Sequence, residues 1–499
     1  MVNRASGEAA IRTFRGVLWS FTAMAGSRLV SLLSMVVLAR FLSPHEFGMM
    51  AFALVFFIYL DAIGDLGTGT ALIYWPDRRH DAAQITFLLN LLAGAVWFGL
   101  SISLAPLVAA FFHQPGGTSV LRVLSVSFLI RSVGNTHDAL SRKDLGFKAR
   151  ILPEMSLTVT KALVAILLAL QGFGVWSLVA GHLAGLTIWT VGMWRITSWR
   201  PRWGVPIDLI RPMLRYGRPI VWINVVSSIL HHIDLMMVGR MLGTSTLGFY
   251  HVANKIVETT IHLQNWAVTQ VTFPALSKVR DENGVARSYI RFLQFVSLTT
   301  IPAATGLIVL ADALVRVLFG TAWTPAVSIV QGLAVYAASR SLGTQGGDVL
   351  KAVGKPSLVA WLGALRGIVL LPVLYMAARV SGPMVAWSMA AVTMPSAALS
   401  LGYACARVGL KLRQVLRALA PSVSASAVMG AALLVFERMA GPVDSVGGLA
   451  GTILLGLTIY LAVLRTVAPG LCRHAWSLLL SSSPRRIHLA AHSLSRNAP

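Results

Sequence analysis

Apolar residues in this chain arrive in long runs, not in the short alternations of strands. Fourteen such runs lie at approximately 16–39, 47–64, 85–110, 118–138, 151–171, 173–194, 217–239, 248–274, 290–311, 325–347, 357–377, 381–404, 419–436 and 446–467. At roughly 18 to 25 residues each, they are long enough to cross a hydrocarbon core of ~30 Å as α-helices. A transmembrane barrel would instead show shorter segments alternating between apolar and polar positions. The pattern therefore predicts an all-α polytopic membrane protein of about fourteen transmembrane helices. Runs 151–171 and 173–194 are parted only by Gly172 and its neighbours, a turn suited to two antiparallel helices.

Composition agrees. Of 499 residues, 56% are hydrophobic and only 12% charged, against about a quarter charged in a soluble chain. The mean hydropathy is +0.71. Residues 1–15 are short and basic, but the run that follows is too long for a signal-peptide core and lacks a small-residue cleavage site before Arg40, so it reads as the first span. Cys405 and Cys472 have neither metal nor redox spacing. No Walker A sequence occurs, and no stretch outside the runs is large enough to hold a nucleotide-binding domain, so transport driven by the chain's own ATP hydrolysis is excluded. The expectation is a protein that is not an enzyme and carries no cofactor or metal.

The formal net charge of +24 could suggest a nucleic-acid partner, yet the basic residues lie between the apolar runs. With the N-terminus placed in the cytoplasm, thirty of the 42 Lys and Arg fall in inward segments. Only Arg40, Arg240, Arg316, Arg379 and Arg438 fall outside, and the remaining seven lie within spans. Such a bias predicts an even number of helices with both termini cytoplasmic. Anionic lipid headgroups account for the basic tail after the last span, with no nucleic acid required.

The chain also echoes itself. Arg40, Leu42 and Gly48 recur as Arg240, Leu242 and Gly248, an offset of 200, and Arg131-Ser132-Val133-Gly134 recurs as Arg340-Ser341-Leu342-Gly343, an offset of 209. Two echoes in order at nearly one offset predict a six-helix bundle over 1–215 and a second copy over 216–415. Two additional helices follow over 416–470, then a basic cytoplasmic tail over 471–499. Six helices return the chain to its starting side, so the copies are parallel, related by an axis along the membrane normal.

Candidate chemistry lies in the charges within spans, each costing about 2.5–3.5 kcal/mol near the bilayer centre on insertion scales. These are Arg28, Arg131, Asp138, Glu154 and Lys161 in the first half and Asp234, Lys255, Glu258, Arg340 and Arg366 in the second. Their positive excess suits an anionic head such as phosphate or pyrophosphate. Arg28, Arg131, Arg340, Lys255 and Arg366 are the substrate-cavity candidates; Asp138, Glu154, Asp234 and Glu258 are candidates for ion coupling. Lys255 with Glu258, and Glu154 with Lys161, share helix faces and could equally neutralise each other. Asp61 and Asp65 are expected near the inner end of the second helix, within reach of loop arginines. Arg40 and Arg240, at helix ends, read as structural. His231, His232 and Asp234 could suggest a metal, but adjacent histidines diverge on a helix, which favours a structural or proton-sensitive role. Asn224 could hydrogen-bond across helices.

Several short motifs carry a family resemblance. They are Trp19, Ser20, Arg40-Phe41-Leu42, Phe47-Gly48, Asp65-Leu66-Gly67, Ala139-Leu140 and Phe147-Lys148 in the first half. The second half has Arg240-Met241-Leu242-Gly243, Leu247-Gly248 with Tyr250, Phe273-Pro274-Ala275-Leu276-Ser277, Phe319-Gly320 with Trp323, and Gly354-Lys355-Pro356. Over most of the first 400 residues the chain resembles the bacterial polysaccharide transporter (lipid-linked oligosaccharide flippase) family of the multidrug/oligosaccharidyl-lipid/polysaccharide exporter superfamily, and in particular its exopolysaccharide exporters. The resemblance implies an inner-membrane flippase that moves undecaprenyl-pyrophosphate-linked oligosaccharide units for exopolysaccharide, capsule or O-antigen synthesis. It further implies coupling to a proton or sodium gradient, and a polysaccharide polymerase and assembly proteins as partners. Fourteen helices suit this branch better than the twelve of typical drug exporters. Three alternatives stay open: a peptidoglycan-precursor flippase, whose cargo has the same lipid and pyrophosphate; a multidrug cation exporter, which should prefer an acidic cleft; and a non-transporting membrane scaffold, which would leave the repeated halves and the buried charges without a purpose.

Overall fold

The computed structural model describes residues 24–64, 66–75, 78–144, 146–202, 204–262 and 282–469. Among them eleven helices are long and apolar enough to cross a membrane. In chain order the helices are α1 (Met24–Leu38), α2 (Pro44–Gly64), α3 (Thr68–Tyr74), α4 (Arg79–Phe111), α5 (Gly117–Leu124), α6 (Val126–Lys143), α7 (Phe147–Leu170) and α8 (Val175–Ile196). There follow α9 (Ile207–Leu242), α10 (Thr244–Val257), α11 (Glu282–Val309), α12 (Val327–Ala352), α13 (Pro356–Ala378), α14 (Gly382–Arg407), α15 (Leu412–Ala440) and α16 (Val446–Val467). Helices α5 and α6 together make one span.

Eleven is fewer than the fourteen runs, for identifiable reasons. Residues 16–23 of the first run, with Trp19 and Ser20, lie outside the described residues, as does 263–274 of the eighth. Helix α12 is long enough, but Ser, Thr, Gln, Gly and three charges dilute its apolar residues. Asp65, Phe273–Ser277, Cys472 and the tail 471–499 also fall outside the described residues. Helix α9 begins ten residues before its apolar run, at Ile207. Its first turns carry Arg211 and Arg215, good helix formers that a search for apolar runs passes over.

The chain falls into two compact units. The first is drawn from 1–263, 318–336 and 363–393, the second from 264–317, 337–362 and 394–499. In the first, α7 and α8 pack along their length through Gly181 and Gly185. A Cβ at Gly181 would stand 2.6 Å from the Lys161 carbonyl oxygen, and one at Gly185 would stand 2.7 Å from that of Leu157. Small residues four apart let two spans approach to backbone contact, which adds dispersion attraction where lipid gives no hydrophobic drive. At one end of this unit, Ala71, Leu72, Ala82, Ile85, Leu140 and Met213 form a sealed apolar core. Arg78, which pairs with Asp81 and Asp208, and Arg79, 2.5 Å from Asp144, lie beside it.

Elsewhere in the first unit, Trp323 is fully buried and donates its ring N–H to the Ala39 carbonyl at 3.1 Å. Phe47 and Phe249 meet it edge-on at 5.2 and 5.9 Å. Arg40 Nε donates to the Leu318 carbonyl at 3.1 Å, while Arg240 lies 4.8 Å from the Phe111 ring and contacts His113. Both arginines thus fasten helix ends, in line with their structural reading.

The second unit has two cores. Tyr289, Leu293, Val349, Leu350, Ala404 and Val415 form one; Leu310, Ala425, Met429, Leu433, Tyr460 and Leu464 form the other. Hydroxyls tie its helices where the interior is polar. Ser297 and Ser422 are 3.0 Å apart, Thr300 and Ser341 are 3.3 Å apart, and Tyr460 donates to the Leu298 carbonyl at 2.8 Å. Across both units large apolar side chains face outward, such as Leu152, 73% exposed, in the first and Met439, 83% exposed, in the second, as lipid-facing helix surfaces do.

Candidate functional site

Two groups of charged and polar side chains form within the first unit. The first joins α1, α7 and α10. Arg28 reaches Glu258 with a 3.3 Å ion pair and a 3.3 Å hydrogen bond to its carbonyl, and Lys255 lies 3.3 Å from the other carboxylate oxygen. Glu258 opens a single π-helical turn, Glu258–His262, that continues α10, a distortion often found at functional positions. Lys161 is half-buried on α7 and near enough to Lys255 for their charges to repel. His251 interacts electrostatically with Lys255, Lys161 and Glu258. Among the described residues Arg28 and Lys255 thus flank the Glu258 carboxylate, and Lys161 adds a third cation near Lys255. Like charges held together there repel by on the order of a few kcal/mol, which an arriving anion relieves.

A polar pocket of about 220 Å³ forms the second group. Arg131, Asn135, Asp138 and Arg142 recur on α6 at the spacing of one helix face. Asp61 from α2, Thr70 and its neighbours from α3, Asn90 from α4 and Asn224 from α9 also line it. Arg131 is held by Asp61 at 3.0 Å. Asp138 accepts from Arg142 at 2.6 Å and from Arg150 at 2.8 Å, and Arg150 also holds Glu154 at 2.8 Å. Here each carboxylate is matched by a guanidinium, so the pocket presents donors and acceptors without a large net charge. Helix α8 borders both groups: Gly185 packs on Lys161 of α7, and the Thr190 hydroxyl donates to the Ile130 carbonyl of α6, next to Arg131, at 3.1 Å.

The site residues sort accordingly. Arg28, Lys255 and Glu258 come together with Lys161. Arg131 and Asp138 share the pocket, where Asp61 pairs with Arg131 of α6 and not with a loop arginine. Glu154 pairs with Arg150 instead of Lys161, because Arg150 is one turn away and Lys161 two. Asp234, buried in α9, accepts from the Tyr250 hydroxyl at 2.9 Å. His231 contacts the Ser227 carbonyl at 2.7 Å, and no cluster able to hold a metal forms among the described residues. Arg340 lies half-buried on α12 in the second unit and Arg366 half-buried on α13 in the first.

Three features escape a reading of the sequence for runs and charges. Arg150 groups with the inward basic residues by its position, yet its side chain is only 18% exposed and bridges two acids. Its spacing from Glu154 is the available signal. Asp348 is buried beside Lys351 at 2.8 Å; the tenth apolar run stops one residue short of it. The Gly181/Gly185 spacing is a helix-packing motif that a count of apolar residues does not single out.

Residues 37–328 match the family described as "Polysaccharide biosynthesis protein". The chain is 23% identical over 374 residues to the lipopolysaccharide biosynthesis protein WzxC of Escherichia coli (strain K12), covering 74% of this chain and 76% of that one. To the succinoglycan biosynthesis transport protein ExoT of Rhizobium meliloti (strain 1021) it is 26% identical over 356 residues, 71% of this chain and 72% of that. The fold is similar to that of the lipid II flippase MurJ in an inward closed conformation. There the TM-score is 0.73 at 14% identity, over 91% of this chain and all of the other. An inward-facing multidrug transporter of the MATE family follows the same fold, with a TM-score of 0.61 at 16% identity, over 77% of this chain and 94% of that one.

Proposed function

The chain belongs to the polysaccharide biosynthesis protein family, and from that premise we propose that it carries lipid-linked anionic oligosaccharide units across the bacterial inner membrane for exopolysaccharide, capsule or O-antigen assembly. It is a polytopic membrane transport protein, not an enzyme, related to exporters of the Wzx type and, in fold, to MATE transporters. The observation that carries the cargo reading is the pairing of both Arg28 and Lys255 with the Glu258 carboxylate, beside which Lys161 adds a third cation. A pyrophosphate cannot enter hydrocarbon unaided, because stripping its charges of water costs many kcal/mol. Cations on membrane-spanning helices offset that cost for the head, while a polyprenyl tail stays in lipid. A cationic drug would meet repulsion at the same place, which disfavours the multidrug reading.

Within this proposal Arg131, Arg340 and Arg366 serve the cargo's path elsewhere along its length. Fourteen spans arise when α1, α10 and α12 are added to the eleven long apolar helices. Two six-helix copies, 1–215 and 216–415, are supported by equivalent packing: a Cβ at Gly134 would meet Trp189 of α8, and one at Gly343 would meet Ala397 of α14. Both termini face the cytoplasm. A proton or sodium gradient drives the cycle, with Asp138, Glu154, Asp234 and Glu258 as candidate carriers of the coupling. A polymerase and assembly proteins act on what is delivered.

Deleting the gene tests the reading in cells. Secreted or surface polysaccharide should disappear while lipid-linked repeat units accumulate on the inner leaflet. Normal polysaccharide with no accumulation would refute it.

A further inference from the structure

The pocket beside the cationic group is too small for an oligosaccharide and chemically unlike a phosphate site. Its volume of about 220 Å³ equals roughly seven water volumes at ~30 Å³ each, below the ~300–1,000 Å³ of drug-sized sites. Its arginines are already matched: Arg131 by Asp61 and Arg142 by Asp138. What remains toward the cavity are carboxylate oxygens that can accept more bonds and guanidinium and amide N–H groups that can donate. Asn90 adds a second kind of evidence. It is 2% exposed and lines the pocket, and its amide nitrogen meets Thr136 at 3.4 Å while its Oδ1 has no donor among the described residues. A buried acceptor left so calls for a donor from the cavity. Paired donors and acceptors around a small cavity match a molecule whose every hydroxyl both donates and accepts.

We infer that this pocket receives one sugar ring, the ring joined directly to the pyrophosphate, held by Asp61, Asn90, Asn135, Asp138 and Asn224. Position supports the assignment. Helix α8 lies against both groups: a Cβ at Gly185 would stand 3.1 Å from the Cβ of Lys161 in the cationic group, and Thr190 on the same helix donates its hydroxyl to the carbonyl of Ile130, next to Arg131 of the pocket, at 3.1 Å. A pyrophosphate at the first therefore carries its attached sugar toward the second. The reaction preceding transport must then be one that places a sugar on a lipid phosphate. Cargo choice is set partly by which hydroxyls of that ring find partners, since leaving a buried donor or acceptor unmatched costs far more than an added methylene returns.

The inference rests on the flippase reading, and the test separates the two. Purified full-length protein is titrated with two probes: lipid-linked oligosaccharide extracted from cells lacking the gene, and bare undecaprenyl pyrophosphate. Asn135→Ala and Asn224→Ala should each weaken binding of the sugar-bearing lipid at least fivefold and leave the bare lipid within twofold. Lys161→Ala should weaken both. Equal effects of the asparagine variants on the two lipids, or none on either, would overturn the sugar assignment and leave the flippase reading standing. A shift in the sodium dependence of melting without lipid discrimination would overturn it in favour of a cation site. Wild-type protein that binds neither lipid would overturn the flippase reading itself. Should the alanine variants fail to fold, Asn135→Ser and Asn224→Ser, smaller but still polar, are read in the same way.

Discussion

Gly48 and Gly248, two hundred residues apart, pack reciprocally. A Cβ on Gly48 would stand 1.8 Å from the carbonyl oxygen of Thr244, and a Cβ on Gly248 would stand 2.0 Å from that of Pro44. Each glycine meets the residue four before its counterpart, so α2 and α10 cross with each backbone filling the other's gap. The neighbouring arginines behave alike: Arg40 reaches Leu318 near Phe319, and Arg240 reaches Phe111 and His113. Neither distance can accommodate a methyl group, and both intruding atoms are backbone. Gly48→Ala and Gly248→Ala should therefore each destabilise the protein by at least about 1–3 kcal/mol. Melting of detergent-purified variants checks this, with Gly99→Ala as control, because a Cβ there meets nothing within 4 Å.

Arg150 offers a second prediction. Asp138 has a side chain only 12% exposed and relies on Arg150 as well as Arg142. Removing one partner of a buried ion pair costs more than the pair contributes, because a desolvated charge is left behind. Arg142 still holds Asp138 in this variant, so Arg150→Met should lower stability by about 1.5–3 kcal/mol, and adding Asp138→Asn should restore much of the loss. A double variant no better than the single one would show that the pairing is not what matters there.

Charge in the cationic group can be changed in both directions. Lys161→Ala should raise the KM for transport at least about tenfold, equivalent to ~1.4 kcal/mol of lost binding. Glu258→Gln removes the carboxylate that Arg28 and Lys255 share, so it should lower KM while slowing release. Membrane levels of both variants should match wild type. Transport by Lys161→Ala at wild-type KM would remove this group from the site.

The helices were legible because a membrane demands long apolar runs, and twelve of the fourteen runs match described helices over nearly their whole length. The site was legible only as a set of charges. Sequence spacing shows neighbours one or two turns apart, as for Lys255 and Glu258. It does not show that Arg28 closes on Glu258 across 230 residues, or that Asp61 meets Arg131 across 70. Those contacts depend on how helices are placed, which Gly181, Gly185, Gly48 and Gly248 decide through backbone approach. Glycine in an apolar run reads as one more small residue, so its part in packing is invisible until the partner helix is known.

Topology can be tested independently of cargo. With Cys405→Ala and Cys472→Ala as background, Ser119→Cys should react with an impermeant thiol reagent in intact spheroplasts, and Lys148→Cys only after lysis. Ser119 serves better than its neighbour Gly117, where a Cβ would stand 2.5 Å from the Phe52 ring. Reaction of Lys148→Cys without lysis would reverse the orientation.

Reconstitution tests the central claim most directly. Purified protein in liposomes receives fluorescent undecaprenyl-pyrophosphate-linked oligosaccharide, and an impermeant quencher or a sugar-cleaving enzyme reports its leaflet. Under a proton or sodium gradient the account predicts movement of this lipid between leaflets, abolished or strongly slowed by Lys161→Ala. Folded protein that moves no such lipid under proton, sodium or zero gradient, yet responds in a drug-efflux assay, would contradict it.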